Sequence, residues 1–492
     1  MSTIEIEFSE SFQAKAWSAG SSPGLLARAF PVRAKLRYSP AMDILQTALS
    51  WFFSFKAFVM LPVIVLVIAL FARMKPGTAL VAVLQLGAGF AGIFLVYDAF
   101  LGFLKPAVEA LATVRGLSFS VIDAGWPPLA AITWAGWLAP VAIALVLGLN
   151  LVLVLVRATS TLYIDLWNYW HFAFLGALVL AVTSNPWLAL ASVLVIAAFT
   201  LILCEWSAPH VKREVGIDSV GISPFSVVSL LPWAVALDAL FDRIPWFNKL
   251  IWNPGQSKSK ASAWGQPMVI GALLGVFLGV LAGYEVRKTA ELAISIAAVL
   301  FILPQCGGLI GQSMNQVSEA LKNRLTHRLG GRPVVIGFDT GFLMTNASVM
   351  ATGLILMPLS LGLAFVIPGN HVLPAGDLAN LMSIFSLTVL VFRGNVVRAV
   401  VAALPVVAAF LWISTQLAPM ITTLGAQSGV AGLVGGTVQV TAFTDGGSPV
   451  RYWMLELFSG RLWAFIVLPL ALALVGFAWY KSRHPSAKDL SR

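Results

Sequence analysis

Apolar runs of roughly 15–25 residues, the length a helix needs to cross a bilayer, recur along the chain. They lie near 57–72, 79–103, 131–156, 172–183, 186–203, 268–282, 290–303, 347–367, 378–392, 396–417 and 462–480. The pattern predicts an all-α polytopic membrane protein with about ten or eleven crossings, the shorter runs being re-entrant or broken. An all-helical build follows because an open sheet edge cannot face lipid. Polar interruptions separate the runs: "VRGLSFSVIDAGWPPLAAITWAG" (114–136), "TSTLYIDLWNYWHF" (159–172), the passage 206–267, and "EALKNRLTHRLGG" (319–331), read as a basic helix stopped by Gly330-Gly331. No short repeat is evident. Two glycine-containing interruptions, "GIDSVGISPFS" (216–226) and "TDGGSPV" (444–450), fall in separate halves, and broken helices so placed point to a transporter binding site.

Composition agrees with the pattern. Of 492 residues, 59% are hydrophobic and 11% charged, against about 25% charged in a soluble protein. The net charge of +10 reads as topology. Lys and Arg gather at Arg73 and Lys75, Lys212 and Arg213, Arg243 to Lys260, Lys322 to Arg332, and Lys481 to Arg492, which the positive-inside rule assigns to the cytoplasm. No basic stripe interleaved with exposed aromatics suggests a nucleic-acid partner. Cys204 and Cys306 have no partner spacing. Residues 1–41 read as a polar, basic extension, disordered or peripheral to the membrane, residues 42–480 as the transmembrane domain, and 481–492 as a cytoplasmic basic tail.

An acid inside apolar sequence is expensive, so it usually faces a cavity, a partner or a substrate. Asp123, Asp165, Asp218, Asp339, Asp377 and Asp445 qualify, several of them beside glycines that unwind a helix. Unwound backbone and a carboxylate together suit vicinal hydroxyls. Trp126, Trp167 and Trp170 suit the apolar face of a sugar or polyol, or equally an interfacial belt. His171 is a core histidine or a ligand contact, and Asp165 a site group or an N-cap. In "TDGGSPV", Gly446 and Gly447 let the backbone turn and approach a ligand, Asp445 accepts from hydroxyls, and Pro449 starts a new helix. Arg451 pairs with an acid or meets the surface of an incoming phosphoryl donor. The five histidines are scattered without metal-ligand spacing. Neither a phosphate-binding glycine loop nor a nucleophile elbow is present, and no cofactor is implied.

The ordered segments "VIDAGWP", "DLWNYWH", "VIGFDTGFLMTNASV" (335–349), "FVIPGNHVLPAGDLANL" (365–381), "FRGNVVRAV" (392–400) and "DGGSPVRYW" (445–453) carry a resemblance. The chain resembles the galactitol-family permease (EIIC) component of the bacterial phosphoenolpyruvate-dependent sugar phosphotransferase system, from about Met42 to the last span. The resemblance implies a multi-pass protein of the bacterial inner membrane, a homodimer, and elevator-type movement of a substrate-carrying core against a scaffold. It also implies coupling to separate cytoplasmic subunits, a phosphocysteine-bearing IIB and a phosphohistidine-bearing IIA, with no phosphorylated catalytic residue evident in this chain. Three departures stand out. "ISPFS" with Pro224 replaces a His-containing segment, Asn346 stands where members carry His, and Phe392 precedes Arg393-Gly394 where they often carry His. The nearest acid to the family's Glu-Gly-Ile segment is Glu214 or Asp218. Galactitol is the default solute, with another hexitol, a pentitol or a related sugar open.

Substrate binding is expected between the loops around Asp339 and Asp445, with Gly446, Ser448, Trp126, Asn168, His171, Asp218, Asn346 and Asn370 contributing. Two other functions compete: an ion-coupled secondary transporter of a polyol or sugar using buried acids such as Asp339, and a membrane enzyme acting on a lipid-linked sugar, for which no catalytic constellation is visible.

Overall fold

The computed structural model describes residues 51–52, 55, 57–114, 119–134, 136–254, 267–328, 334–374, 376–428 and 439–484. The expected N-terminal extension, the Gly330-Gly331 stop and the basic tail beyond His484 lie outside the described residues.

The first half opens with α1 (Ala57–Phe71) and α2 (Pro76–Val114), then a short strand β1 (Val121–Asp123). Helices α3 (Trp126–Trp134) and α4 (Leu138–Leu155) lead to β2 (Thr161–Leu162), a 3₁₀ turn at Leu166–Tyr169 and α5 (Trp170–Thr183). Next come α6 (Pro186–Val215), β3 (Val220–Ile222), α7 (Phe225–Val228) and α8 (Leu231–Phe241).

The second half runs through α9 (Pro267–Leu281), α10 (Val286–Arg328), β4 (Val335–Phe338), a 3₁₀ turn at Thr340–Thr345 and α11 (Ala347–Val366). After β5 (Val372–Leu373) follow α12 (Asn380–Ile384), α13 (Ser386–Val391), α14 (Val396–Ser428), β6 (Gln439–Thr441), α15 (Pro449–Phe458) and α16 (Leu462–Arg483). The order is that of the first half: a helical hairpin, a strand, helix, a strand, a broken helix, a long helix, a strand and another broken segment.

Among the described residues four helices are long and apolar enough to cross a membrane: Pro186–Val215, Ala347–Val366, Val396–Gln427 and Leu462–Arg483. Shorter apolar helices join them at Pro76–Gly89, Val141–Leu155, Trp170–Thr183, Phe225–Phe241 and Gly271–Leu281. The last long helix, α16, turns most of its side chains outward, among them Leu462, Ile466 and Leu470. That is the pattern of an apolar helix whose solvent is lipid.

Helices dominate as expected, and among the described residues six short strands, which the all-α expectation did not include, form two three-stranded sheets, in the orders β5-β1-β6 and β2-β4-β3. All pairs are parallel. Each sheet takes its central strand from one half of the chain and both edges from the other. The physical reason is hydrogen bonding. Where a helix breaks inside an apolar interior, its N–H and C=O groups need partners, and pairing Val121 with Val372 and Gln439, or Ile336 with Leu162 and Val220, supplies them. The sheets therefore tie the tips of the broken segments together. Helices α1, α2, α9 and α10 pack largely on one another, with α10 also meeting the Thr340–Thr345 turn.

Candidate functional site

Beyond the ends of the β2-β4-β3 strands lie Asp339, Asp165 and Ser223. Asn168 Nδ2 donates to Asp165 Oδ2 at 2.5 Å and to Asp339 Oδ2 at 2.9 Å. Ser223 Oγ donates to the same Asp165 oxygen at 2.5 Å. Two tyrosines brace the group: Tyr163 donates to the Ser223 carbonyl at 2.5 Å and Tyr169 to the Tyr163 carbonyl at 3.0 Å. Asp339 caps its turn by accepting from Gly341 N at 3.2 Å. One oxygen is left over. Asp165 Oδ1 is buried with no hydrogen-bond partner, a costly condition for a carboxylate.

The other sheet carries the corresponding acids, Asp123 and Asp377, in a different condition. Asp123 accepts from the N–H groups of Gly125 (3.1 Å), Phe443 (2.9 Å) and Asp377 (2.9 Å). Asp377 accepts from Trp126 N at 2.8 Å, from Thr444 Oγ1 at 2.8 Å and from Thr444 N at 3.3 Å. Every oxygen is used. This pair fastens the tips of three broken segments, and Gly125, at φ 80°, meets Gly376 too closely for a side chain.

Two short helical segments bridge the Asp339 and Asp445 loops. On the first, Asn168 reaches Asp339, and His171, one turn on, lies 3.5 Å from Asp445 Oδ1 through its Nδ1. On the second, Asn380 Nδ2 reaches Asp445 Oδ2 at 3.5 Å and Ser383 shares a 2.5 Å hydrogen bond with Thr340. Residues three apart on a helix share a face, so each segment turns one polar face to both loops. Asn380 also donates to Thr444 Oγ1 at 2.9 Å.

Arg451 is 1% exposed. Its guanidinium donates to the Asp445 carbonyl and contacts His171 Nδ1 at 2.9 Å, with Asp445 Oδ1 3.8 Å away. The rings of Phe174, Phe225 and Trp170 surround it at 5.1, 5.2 and 5.9 Å from the guanidinium carbon. Trp170 stacks on His171 with centroids 4.0 Å apart. Arg451 thus pairs with an acid inside the protein, and so buried it presents no surface to a phosphoryl donor. Ser448 caps α15 by accepting from Arg451 N at 3.5 Å, with Pro449 in the first turn.

Of the sequence-derived candidates, Asp339, Asp445, Asn168 and His171 come together. The others stand apart or serve the frame. Asp218 is half exposed and pairs with Lys212 at 3.3 Å. Asn346 caps α11 by accepting from Ser348 N and Val349 N. Asn370 braces its own loop, donating to the carbonyls of Ala364 and Val372. Trp126 starts α3 with its N–H committed to Asp377, and the Trp167 side chain lies outside the described set. Gly446 and Gly447 serve close packing: a Cβ on Gly447 would strike the carbonyls of Phe410 and Phe443. Sequence reasoning missed Ser223, Thr340, Asn380, Ser383 and Thr444. One signal was available, the motif Asp-Leu-x-Asn at both 165–168 and 377–380.

Comparison with known proteins adds a family. The family model EIIC-GAT, described as the PTS system sugar-specific permease component, matches residues 51–432. Over 428 residues the chain is 32% identical to the "PTS system galactitol-specific EIIC component" of Escherichia coli K12, covering 86% of this chain and 94% of that protein. The protein of the same description from Escherichia coli O157:H7 matches equally. A "Putative permease IIC component" of Escherichia coli K12 is 29% identical over 388 residues, 79% of this chain and 89% of its own length.

Proposed function

The chain belongs to the EIIC-GAT family of PTS sugar-specific permease components, and from that premise we propose that it carries a galactitol-like sugar alcohol across the bacterial inner membrane for phosphorylation by separate cytoplasmic IIA and IIB proteins. Phosphorylation traps the solute, since a phosphate ester carries about −1.5 to −2 charge at neutral pH.

The observation that carries the reading is the bridged pair of loops. Asp165, Asp339 and Asp445 supply acceptors, and Asn168, Asn380, Thr340 and Ser383 supply donors and further acceptors on the facing segments. A polyol hydroxyl both donates and accepts, so it matches such a lining. The orphaned Asp165 oxygen gains what the protein does not give it. The self-packed group α1, α2, α9 and α10 supports a scaffold, and the strand-tied tips support a core that moves as one body. On this reading the core travels elevator-fashion against a scaffold that forms the homodimer, with about ten or eleven crossings in all.

Galactitol binding to the purified protein in nanodiscs tests the site. Asp339→Asn keeps the cap on Gly341 but removes the charged acceptor and sets an amide nitrogen against Asn168 Nδ2, so melting should fall somewhat and affinity at least about tenfold, as the loss of a charge-assisted bond of roughly 1.5–3 kcal/mol requires. Wild-type affinity in both Asp339→Asn and Asp445→Asn ends the proposal.

A further inference from the structure

The contact between Arg451 and His171 restricts the histidine further than burial does. A guanidinium has N–H donors and no acceptor. Arg451 Nη2 sits 2.9 Å from His171 Nδ1, so that nitrogen must offer its lone pair, because a hydrogen on it would set two donors face to face. The rival arrangement has Nδ1–H donating to Asp445 Oδ1, which is 3.5 Å away. Against it, Asp445 Oδ1 is a buried oxygen with no hydrogen-bond partner. The charges agree as well: a neutral histidine leaves Arg451 and Asp445 balancing each other. With Nδ1 accepting, the ring hydrogen is on Nε2. That atom has no hydrogen-bond partner among the described residues, and unlike Asp445 Oδ1 it is not among the sealed, unpartnered atoms.

We infer that Arg451 holds His171 as its Nε2–H tautomer and that His171 is a specificity-determining donor, giving this hydrogen to a hydroxyl oxygen of the solute. The inference rests on the transport reading above and deepens it. The site's carboxylates take hydrogens from the solute and His171 returns one, a pairing that suits a neutral polyol. A sugar acid would gain the same donor but meet Asp445, Asp165 and Asp339 with a like charge. Arg451 is a positioning residue: it acts through the ring, and the ring touches the solute.

The experiment is nitrogen NMR of histidine-labelled protein in nanodiscs, with the His171→Gln spectrum identifying the His171 signals. The expected result is a pure Nε2–H tautomer with or without galactitol. Arg451→Lys, which keeps an obligate donor, should preserve it. The charge-balanced double variant Arg451→Met with Asp445→Asn should show Nδ1–H signal. Galactitol affinity supplies the second readout. His171→Gln, whose amide reaches the Nε2 position, should bind within about threefold of wild type, and His171→Asn, which reaches only Nδ1, should lose about tenfold, one hydrogen bond's worth. An Nδ1–H or doubly protonated ring in the wild type, a tautomer unmoved in the double variant, or equal affinities for Gln and Asn would each overturn the inference. Failure of the wild type to bind galactitol would defeat the transport reading, while the spectra would still decide the tautomer.

Discussion

Replacing Asp377 and Asp165 each by asparagine makes one chemical change at two corresponding positions, and the surroundings dictate opposite outcomes. Asp377 uses both oxygens, one for Trp126 N at 2.8 Å and the other for Thr444 Oγ1 and N at 2.8 and 3.3 Å. An amide has a single acceptor oxygen. Kept on Thr444, it leaves the amide nitrogen against the Trp126 N–H; turned around, it forfeits Thr444. At best one charge-assisted bond of about 1.5–3 kcal/mol is lost and a buried N–H is stranded at about 1–3 kcal/mol. The cost is therefore about 2.5–6 kcal/mol, a large part of a typical net stability of about 5–15 kcal/mol. Asp165 differs. Its Oδ2 takes both Ser223 and Asn168 at 2.5 Å, and its Oδ1 has no partner. An amide can keep the occupied oxygen and put its nitrogen where nothing was bound, so the stability cost stays within about 1 kcal/mol. Losing a charged acceptor for the solute should still weaken binding by about tenfold or more. Thermal unfolding followed by tryptophan fluorescence, together with galactitol binding, reads both quantities on each purified variant. Equal melting of the two variants, or Asp165→Asn melting as early as Asp377→Asn, would refute the division of the acids into fastening and binding pairs.

Asp218→Ala should leave galactitol affinity and melting unchanged, because an exposed pair such as Asp218–Lys212 is worth about 0.2–1 kcal/mol; a tenfold affinity loss would return Asp218 to the site. At the α8–α14 contact, Arg398 meets Asp238 at 2.8 Å, Asp242 at 3.0 Å and Asn248 at 2.5 Å. Arg398→Ala should lower stability by about 3–5 kcal/mol, the cost of breaking a buried pair, measured as lower melting in detergent with Asp242→Asn recovering part of it. Deletion of residues 2–41 should leave uptake in cells intact, since the family match begins at residue 51, and loss of insertion in the truncated protein would contradict the domain assignment.

Long apolar runs made the helices legible, because lipid imposes length and composition on any span. The acids of the two bridged loops were legible for the same reason: a carboxylate in apolar sequence needs a purpose. What escaped was pairing. Asp123 meets the Asp377 N–H across more than half the chain, and no local pattern announces such a contact. The strands, two to four residues long, are too short to show an alternating period, so their sheets were invisible. The Asp-Leu-x-Asn pair at 165 and 377 was readable, but it became meaningful only once the two halves proved to follow one order of elements. Arg451 was readable as a partner of Asp445, whereas its contact with His171 depends on a fold that joins α5 to α15.

The most direct test of the central claim uses inverted membrane vesicles containing this protein and radiolabelled galactitol. The account predicts galactitol phosphate when phosphorylated IIB is supplied, with none formed from unphosphorylated IIB or from vesicles lacking the protein. Accumulation of unmodified galactitol under an ion gradient, with no phosphorylated partner and no phosphate ester formed, would contradict it.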